Sequence, residues 1–108
     1  MTDAAGSAEL RLAFEATVIY WRGPSPFFYA PLPEAPAAEV RRVARAVSYG
    51  WGCIPARARI GDVAFSTALI PKDGTYLLPL KVAVRRQANV TAGDAVAVEM
   101  AIGLDEAG

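Results

Sequence analysis

The chain contains no histidine, and Cys53 is its only cysteine. Histidine is the usual general base near neutral pH and the commonest protein ligand of metal ions. Its absence excludes Ser-His and Cys-His catalytic pairs and disfavours a zinc site of mixed ligands. A lone cysteine excludes an internal disulfide, which favours the reducing cytoplasm. These absences favour a binding protein without metal, cofactor or catalytic residue over an enzyme.

Long hydrophobic runs are also missing. Every uncharged stretch is much shorter than the about 20 apolar residues that a transmembrane helix needs. The N-terminus has an acid, Asp3, where a signal peptide has a base. Apolar residues still make up 54% of the chain, which is enough for a core. We expect one soluble, cytoplasmic domain at residues 12–102, disordered tails at 1–11 and 103–108, and no membrane partner.

Neither basic nor acidic residues are in large excess. The whole chain has a net charge of zero, and residues 12–102 carry ten basic and seven acidic side chains, a net charge of +3. This excess is far below that of a polybasic nucleic-acid-binding arm. Long-range attraction to nucleic acid should therefore be weak.

Alternating apolar residues and turn signals predict six β-strands. Along the first, apolar and polar residues alternate, which is typical of a strand with one buried face. Gly61-Asp62 is a two-residue hairpin signal, and Pro31 marks a sheet edge or the end of pairing because it cannot donate a hydrogen bond. The six strands are predicted at residues 12–20, 27–32, 52–60, 63–70, 75–78 and 95–102.

Two segments have the spacing of short helices. The first is predicted from an apolar stripe with arginines on the other side, Pro36 in the first turn and Gly50 as its C-cap. The second covers residues 81–88, with Asn89 as a left-handed cap. The apolar stripes consist of Val40, Val43, Ala44 and Val47 in the first helix and Leu80, Val84 and Ala88 in the second.

The predicted elements form a repeat of strand, strand, helix, strand. Both helices follow a Leu-Pro step, Leu32-Pro33 and Leu78-Pro79. Two such ββαβ halves can form a barrel around a pseudo-twofold axis, and closure would remove exposed sheet edges. The sequence therefore predicts a mainly β fold, a closed six-stranded β-barrel with two short helices.

Several short motifs occur in order along the second half and have counterparts in the first. Together they resemble the bacterial "domain of unknown function 1905" family over about residues 12–102. The motifs are Ile60-Gly61-Asp62, Phe65-Ser66-Thr67-Ala68-Leu69-Ile70-Pro71, Tyr76-Leu77-Leu78-Pro79-Leu80-Lys81, Val84-Arg85-Arg86 and Gly93-Asp94-Ala95-Val96, with Phe14, Trp21, Phe27-Phe28-Tyr29 and Leu32-Pro33 in the first half.

The resemblance implies a double-split β-barrel. That fold is similar to the AbrB-like transcription factors and antitoxins, in which two short chains swap hairpins to make one barrel. Residues 73–100 are themselves similar to an AbrB-like half, so both halves would lie in one chain here. The family implies no catalytic residue, and the helical domain that some members carry is not expected in this chain.

Five basic residues are candidates for holding an anion. Arg57 and Arg59 share one face of a strand, and Lys81, Arg85 and Arg86 lie on the second helix. If these faces meet, they form a phosphate-binding surface. The alternative is a solvated polar face with scattered acidic partners.

Two tryptophans and the lone thiol complete the candidate residues. Trp21, next to Arg22, and Trp51 flank glycine-containing turns, where they either stack on a flat ligand or cap a barrel end. Cys53 is either a small core residue or, with Arg57 on the same strand face, a reactive thiol.

Three functions remain open at this point. The first is a non-enzymatic module that binds a small anionic ligand or a protein partner in a cleft beside a barrel end. The second is an AbrB-like nucleic-acid binder, with weak affinity expected. The third is a thiol-dependent enzyme that uses Cys53. The sequence is compatible with a monomer or a homodimer.

Overall fold

The computed structural model describes residues 8–24 and 26–104. Most of the two predicted tails, residues 1–7 and 105–108, lies outside the described residues. The elements in chain order are β1 (Glu9–Thr17), β2 (Ile19–Trp21), β3 (Phe27–Pro31), α1 (Glu34–Val47), β4 (Ile54–Ile60), β5 (Val63–Lys72), β6 (Thr75–Pro79), α2 (Val82–Ala88) and β7 (Ala95–Gly103).

All seven strands belong to one curled, half-barrel sheet in the order β1-β7-β4-β5-β6-β3-β2. Every pairing is antiparallel. β5 pairs with a different strand along each of its two parts. Residues 63–69 pair with β4, and residues 70–72 pair with β6. The mainly β fold with two helices is confirmed.

The predicted first strand is divided at Val18. The Val18 N–H donates to the Asp94 carbonyl at 2.9 Å, and the Val18 carbonyl accepts from the Gly93 N–H at 2.8 Å. Beyond this residue the chain pairs with β3 instead of β7. β1 and β2 therefore form the two ends of the sheet. The closed six-stranded barrel is not confirmed, because the described sheet has seven strands and is open.

The repeat appears in the strand pairings. In the first half, β1 pairs with the last strand of the second half, and β2 pairs with β3. In the second half, the two parts of β5 pair in the same way with β4 and β6. Each half thus follows the predicted order of strand, strand, helix, strand, with its first strand shared between two neighbours.

The core lies between the inner face of the curled sheet and the two helices. α1 contributes Ala37 and Val40, and α2 contributes Val84. The described residues include no buried polar or charged side chain. Hydrophobic burial therefore provides the main stabilisation of the fold. The largest fully buried side chains are Ile54, Leu69, Leu78, Leu80, Ile102, Val18, Val40 and Val98.

The ends of the two helices differ from each other. α1 begins directly after Pro33, with Pro36 in its first turn as predicted. It ends at an extended Ser48, so Gly50 is not its C-cap and lies in a later turn. α2 ends at Asn89, whose φ of 59° confirms the predicted left-handed cap. Within residues 8–24 and 26–104, neither helix is long and apolar enough to cross a membrane.

Candidate functional site

Several side chains on the outer face of four neighbouring strands are small. Along β1, β7, β4 and β5, alternate residues point away from the core, and residues that face each other across the strands share this side. Small residues among them leave space above the sheet. They include Ala13, Ala64, Ser66, Ala97 and Ala101.

Charged side chains surround this space and form a groove of about 710 Å³. We call it the arginine groove. Its charged residues are three arginines and two glutamates, so their formal charges sum to +1 at neutral pH. They are Arg11 and Glu9 from β1, Arg57 and Arg59 from β4, and Glu99 from β7.

Two of the arginines bind one carboxylate. Glu9 Oε2 accepts from Arg11 Nε at 3.1 Å and lies 2.9 Å from Arg11 Nη2. The other oxygen, Oε1, accepts from Arg57 Nη2. The Glu9 side chain is only 18% exposed, whereas the Arg11 side chain is 79% exposed. The groove therefore already presents two guanidinium groups to a single carboxylate.

Arg59 is the remaining base of the arginine groove. It lies directly opposite Glu99 of β7 and opposite Ala64 of β5, and its side chain is exposed. Arg59 forms no ion pair with any residue in the described ranges. Its donors are therefore available to an anion that enters beside Arg57.

Lys81, which directly precedes α2, and Arg85 and Arg86 of α2 lie elsewhere. None of the three lines the arginine groove. The Arg85 guanidinium stacks on the Phe28 ring, and its Nε donates to the Leu80 carbonyl at 3.3 Å. Lys81 and Arg86 are exposed. The structure thus brings Arg57 and Arg59 together but does not join them with the predicted bases of α2.

Trp21 and Arg22 lie in an aromatic group at the end of the sheet. The rings of Trp21 and Tyr29 are 6.1 Å apart, and Lys72 Nζ is 4.9 Å from the Trp21 ring centre. Arg22 lies 5.9 Å from the ring of Tyr20. Neither Trp21 nor Arg22 lines the arginine groove.

Comparison with protein families decides the family of the chain. A family model described as "Domain of unknown function (DUF1905)" matches residues 14–100. The chain belongs to the DUF1905 family. The matched part runs from β1 into β7 and includes Arg57, Arg59 and Glu99, whereas Glu9 and Arg11 precede it. No curated protein matches this DUF1905 chain.

Trp51 and Cys53 share a tight turn of the DUF1905 domain. Tyr49 and Cys53 are bridged by backbone hydrogen bonds, and the Trp51 side chain at the tip is 95% exposed. Trp51 therefore does not cap the end of the sheet. Cys53 is half-buried and free, and Arg57, the base that the sequence placed on its strand face, is bound to Glu9.

Sequence reasoning missed three residues of the arginine groove in this DUF1905 domain. Glu9 and Arg11 were assigned to the tail, yet they belong to β1. The alternation of Leu10 with the next apolar residues already extends the strand to Glu9 and supplies the missing signal. Glu99 was placed on the last strand, but only the register identifies Arg59 as its neighbour.

Proposed function

We propose that this DUF1905 domain is a non-enzymatic binding module that holds a small carboxylate- or phosphate-bearing ligand in the arginine groove. The observation that carries the proposal is the convergence of Arg11 and Arg57 on one carboxylate, with the donors of Arg59 available beside them. In the unliganded domain, the Glu9 carboxylate is the anion that Arg11 and Arg57 bind.

The chemistry of the groove fits an anion better than a neutral ligand. Arginine stays charged at all physiological pH values and binds carboxylates and phosphates through paired donors. The small side chains between β1 and β5 leave room for a ligand above the backbone. Because Arg57 and Arg59 are exposed, water competes for their donors, and we expect a weak dissociation constant of about 1 mM for inorganic phosphate.

Glu9 should act as an internal competitor. Its carboxylate occupies donors of both Arg11 and Arg57, so a ligand must displace it or bind beside it. Replacing it by an uncharged amide, Glu9→Gln, removes the competing charge without changing the size of the side chain. The affinity for an anion should then rise about threefold to tenfold.

The test is a titration with inorganic phosphate and, separately, with succinate, monitored by NMR shifts of the arginine side chains. Arg59→Gln should weaken binding about threefold to tenfold, and Glu9→Gln should strengthen it. Arg86→Gln removes an equally exposed charge on α2 and should leave binding unchanged. Equal losses in Arg59→Gln and Arg86→Gln, or no response of Arg57 and Arg59 to either anion, would refute the proposal.

A further inference from the structure

β1 is a nine-residue strand at an open end of the sheet. Its even-numbered residues hydrogen-bond towards β7, because the Leu104 N–H donates to the Ala8 carbonyl and the Val18 N–H donates to the Asp94 carbonyl. Successive residues of a strand point their N–H and C=O groups to opposite sides. The backbone groups of Arg11, Ala13 and Glu15 therefore point away from β7.

These backbone groups have no hydrogen-bond partner among the described residues. Arg11, Ala13 and Glu15 are exposed, and the inward-facing Leu12 and Phe14 are only half-buried. A second groove, of about 430 Å³, opens beside Glu15, Thr17 and Pro33. Leu32 lies in the same groove wall as Pro33, but no described strand pairs with this edge of β1, although natural proteins normally protect a long edge strand from pairing.

We propose that β1 pairs antiparallel with β1 of a second copy of this chain, with Ala13 on the twofold axis. In this register Arg11 lies opposite Glu15 of the second copy, and Glu15 lies opposite Arg11 of the second copy. Ala13 meets its own counterpart, which is small enough to allow close approach. The free N–H and C=O groups of all three residues find partners, and one sheet continues through both copies.

Charge selects this register over its neighbours. With the axis at Leu12, Glu9 would lie opposite Glu15 of the second copy, and like charges in direct opposition are destabilising. With the axis at Phe14, Arg11 would lie opposite Thr17 of the second copy and gain no charge partner. The axis at Ala13 gives two Arg-Glu pairs, which is the self-complementarity that a twofold interface requires.

The same register covers apolar surface on the inner side. Leu12 lies opposite Phe14 of the second copy, and the reverse contact forms by symmetry. Both side chains are half-buried in the single chain, so pairing removes more of their surface from water. β2, at the other end of the sheet, has three residues and offers a much shorter edge.

The test uses charge reversal at the two ends of the predicted pair, with mass measured by analytical ultracentrifugation over a range of concentrations. The unaltered chain should dimerise. Arg11→Glu or Glu15→Arg alone should weaken the dimer by about tenfold or more, because each places two like-charged pairs in opposition. The double variant restores both pairs and should recover the dimer to within about threefold.

Mixing the two single variants gives the sharpest result. A copy with Arg11→Glu offers two acids, and a copy with Glu15→Arg offers two bases, so native mass spectrometry should find mainly mixed dimers.

Ala13→Pro removes the central donor on the free side and should give a folded monomer. Arg86→Glu, an equal charge change on α2, should dimerise normally. A chain that stays monomeric at millimolar concentration, or single variants that dimerise as well as the unaltered chain, would overturn the proposal.

Discussion

The guanidinium carbon of Arg85 lies 3.8 Å from the centre of the Phe28 ring. The contact joins α2 to β3, although β3 ends at Pro31 and α2 begins only at Val82. Arg85 also donates from Nε to the Leu80 carbonyl, so its planar group is held by a ring on one side and by the backbone at its edge. Phe28 in turn packs against the core. This arginine is therefore a structural residue of α2.

Arg85→Ala should lower the free energy of unfolding by about 1–2 kcal/mol, because it removes a partly buried cation–π contact and the apolar stem of the side chain. Arg86→Ala, on the next residue of the same helix, should change it by less than about 0.5 kcal/mol since that side chain is exposed. Urea unfolding monitored by circular dichroism measures both. Equal midpoints for the two variants would contradict this role of Arg85.

Val18→Ala should destabilise the fold by about 2 kcal/mol. Val18 is 1% exposed at the junction of β1 and β2, and the change removes two buried methyl groups and leaves a cavity. Val82→Ala is the matched control, since Val82 is 50% exposed on α2 and the same atoms are lost there without a cavity. Thermal unfolding of the two variants should give clearly separate midpoints, and similar midpoints would show that the junction tolerates loose packing.

The turn between β5 and β6 depends on a glycine. Asp73 and Gly74 have φ values of 50° and 83°, as two-residue hairpins of this kind require. Gly74→Ala should cost about 1 kcal/mol, because the left-handed region is unfavourable for a side chain with a Cβ. Gly103→Ala lacks this conformational cost and has no neighbouring atom within 4 Å, so it should be neutral in the same unfolding assay.

Nucleic-acid binding by the isolated chain should be weak and sensitive to salt. The arginine groove and the basic face of α2 share no residue, and Arg85 is held by Phe28. Two to four phosphate contacts on one surface give a slope of about −2 to −4 in a plot of log affinity against log salt. Fluorescence anisotropy with random duplex DNA measures this slope. Submicromolar affinity at physiological salt, lost in Lys81→Ala with Arg86→Ala, would instead support the nucleic-acid function.

Local sequence patterns predicted the elements well where one physical signal dominates. The α1 segment has both a helical apolar stripe and Pro36, and the hairpin at Gly61-Asp62 has turn chemistry that few other structures use. Asn89 was predicted as a left-handed cap for the same reason. Each of these features depends on residues that are close together in the chain.

The division of the first strand at Val18 could not be predicted in this way. Apolar residues keep alternating through the junction, because Val18 stays on the inner face while the chain changes its pairing partner. Alternation reports which face a residue occupies and not which strand lies beside it. The contact of Glu9 with Arg57 depends on such long-range pairing, since 48 positions separate the two residues.

The pairing of β1 with β7 also sets the order in which this domain can fold during synthesis. Glu9 lies opposite Gly103, so the first strand of the domain pairs with its last strand. β4 pairs with β5 on one side and needs β7 as its partner on the other side. Until β7 emerges, β1 has no strand to pair with, and unpaired apolar strands promote aggregation or chaperone binding of nascent chains. Folding of the sheet is thus completed only after translation of nearly the whole domain.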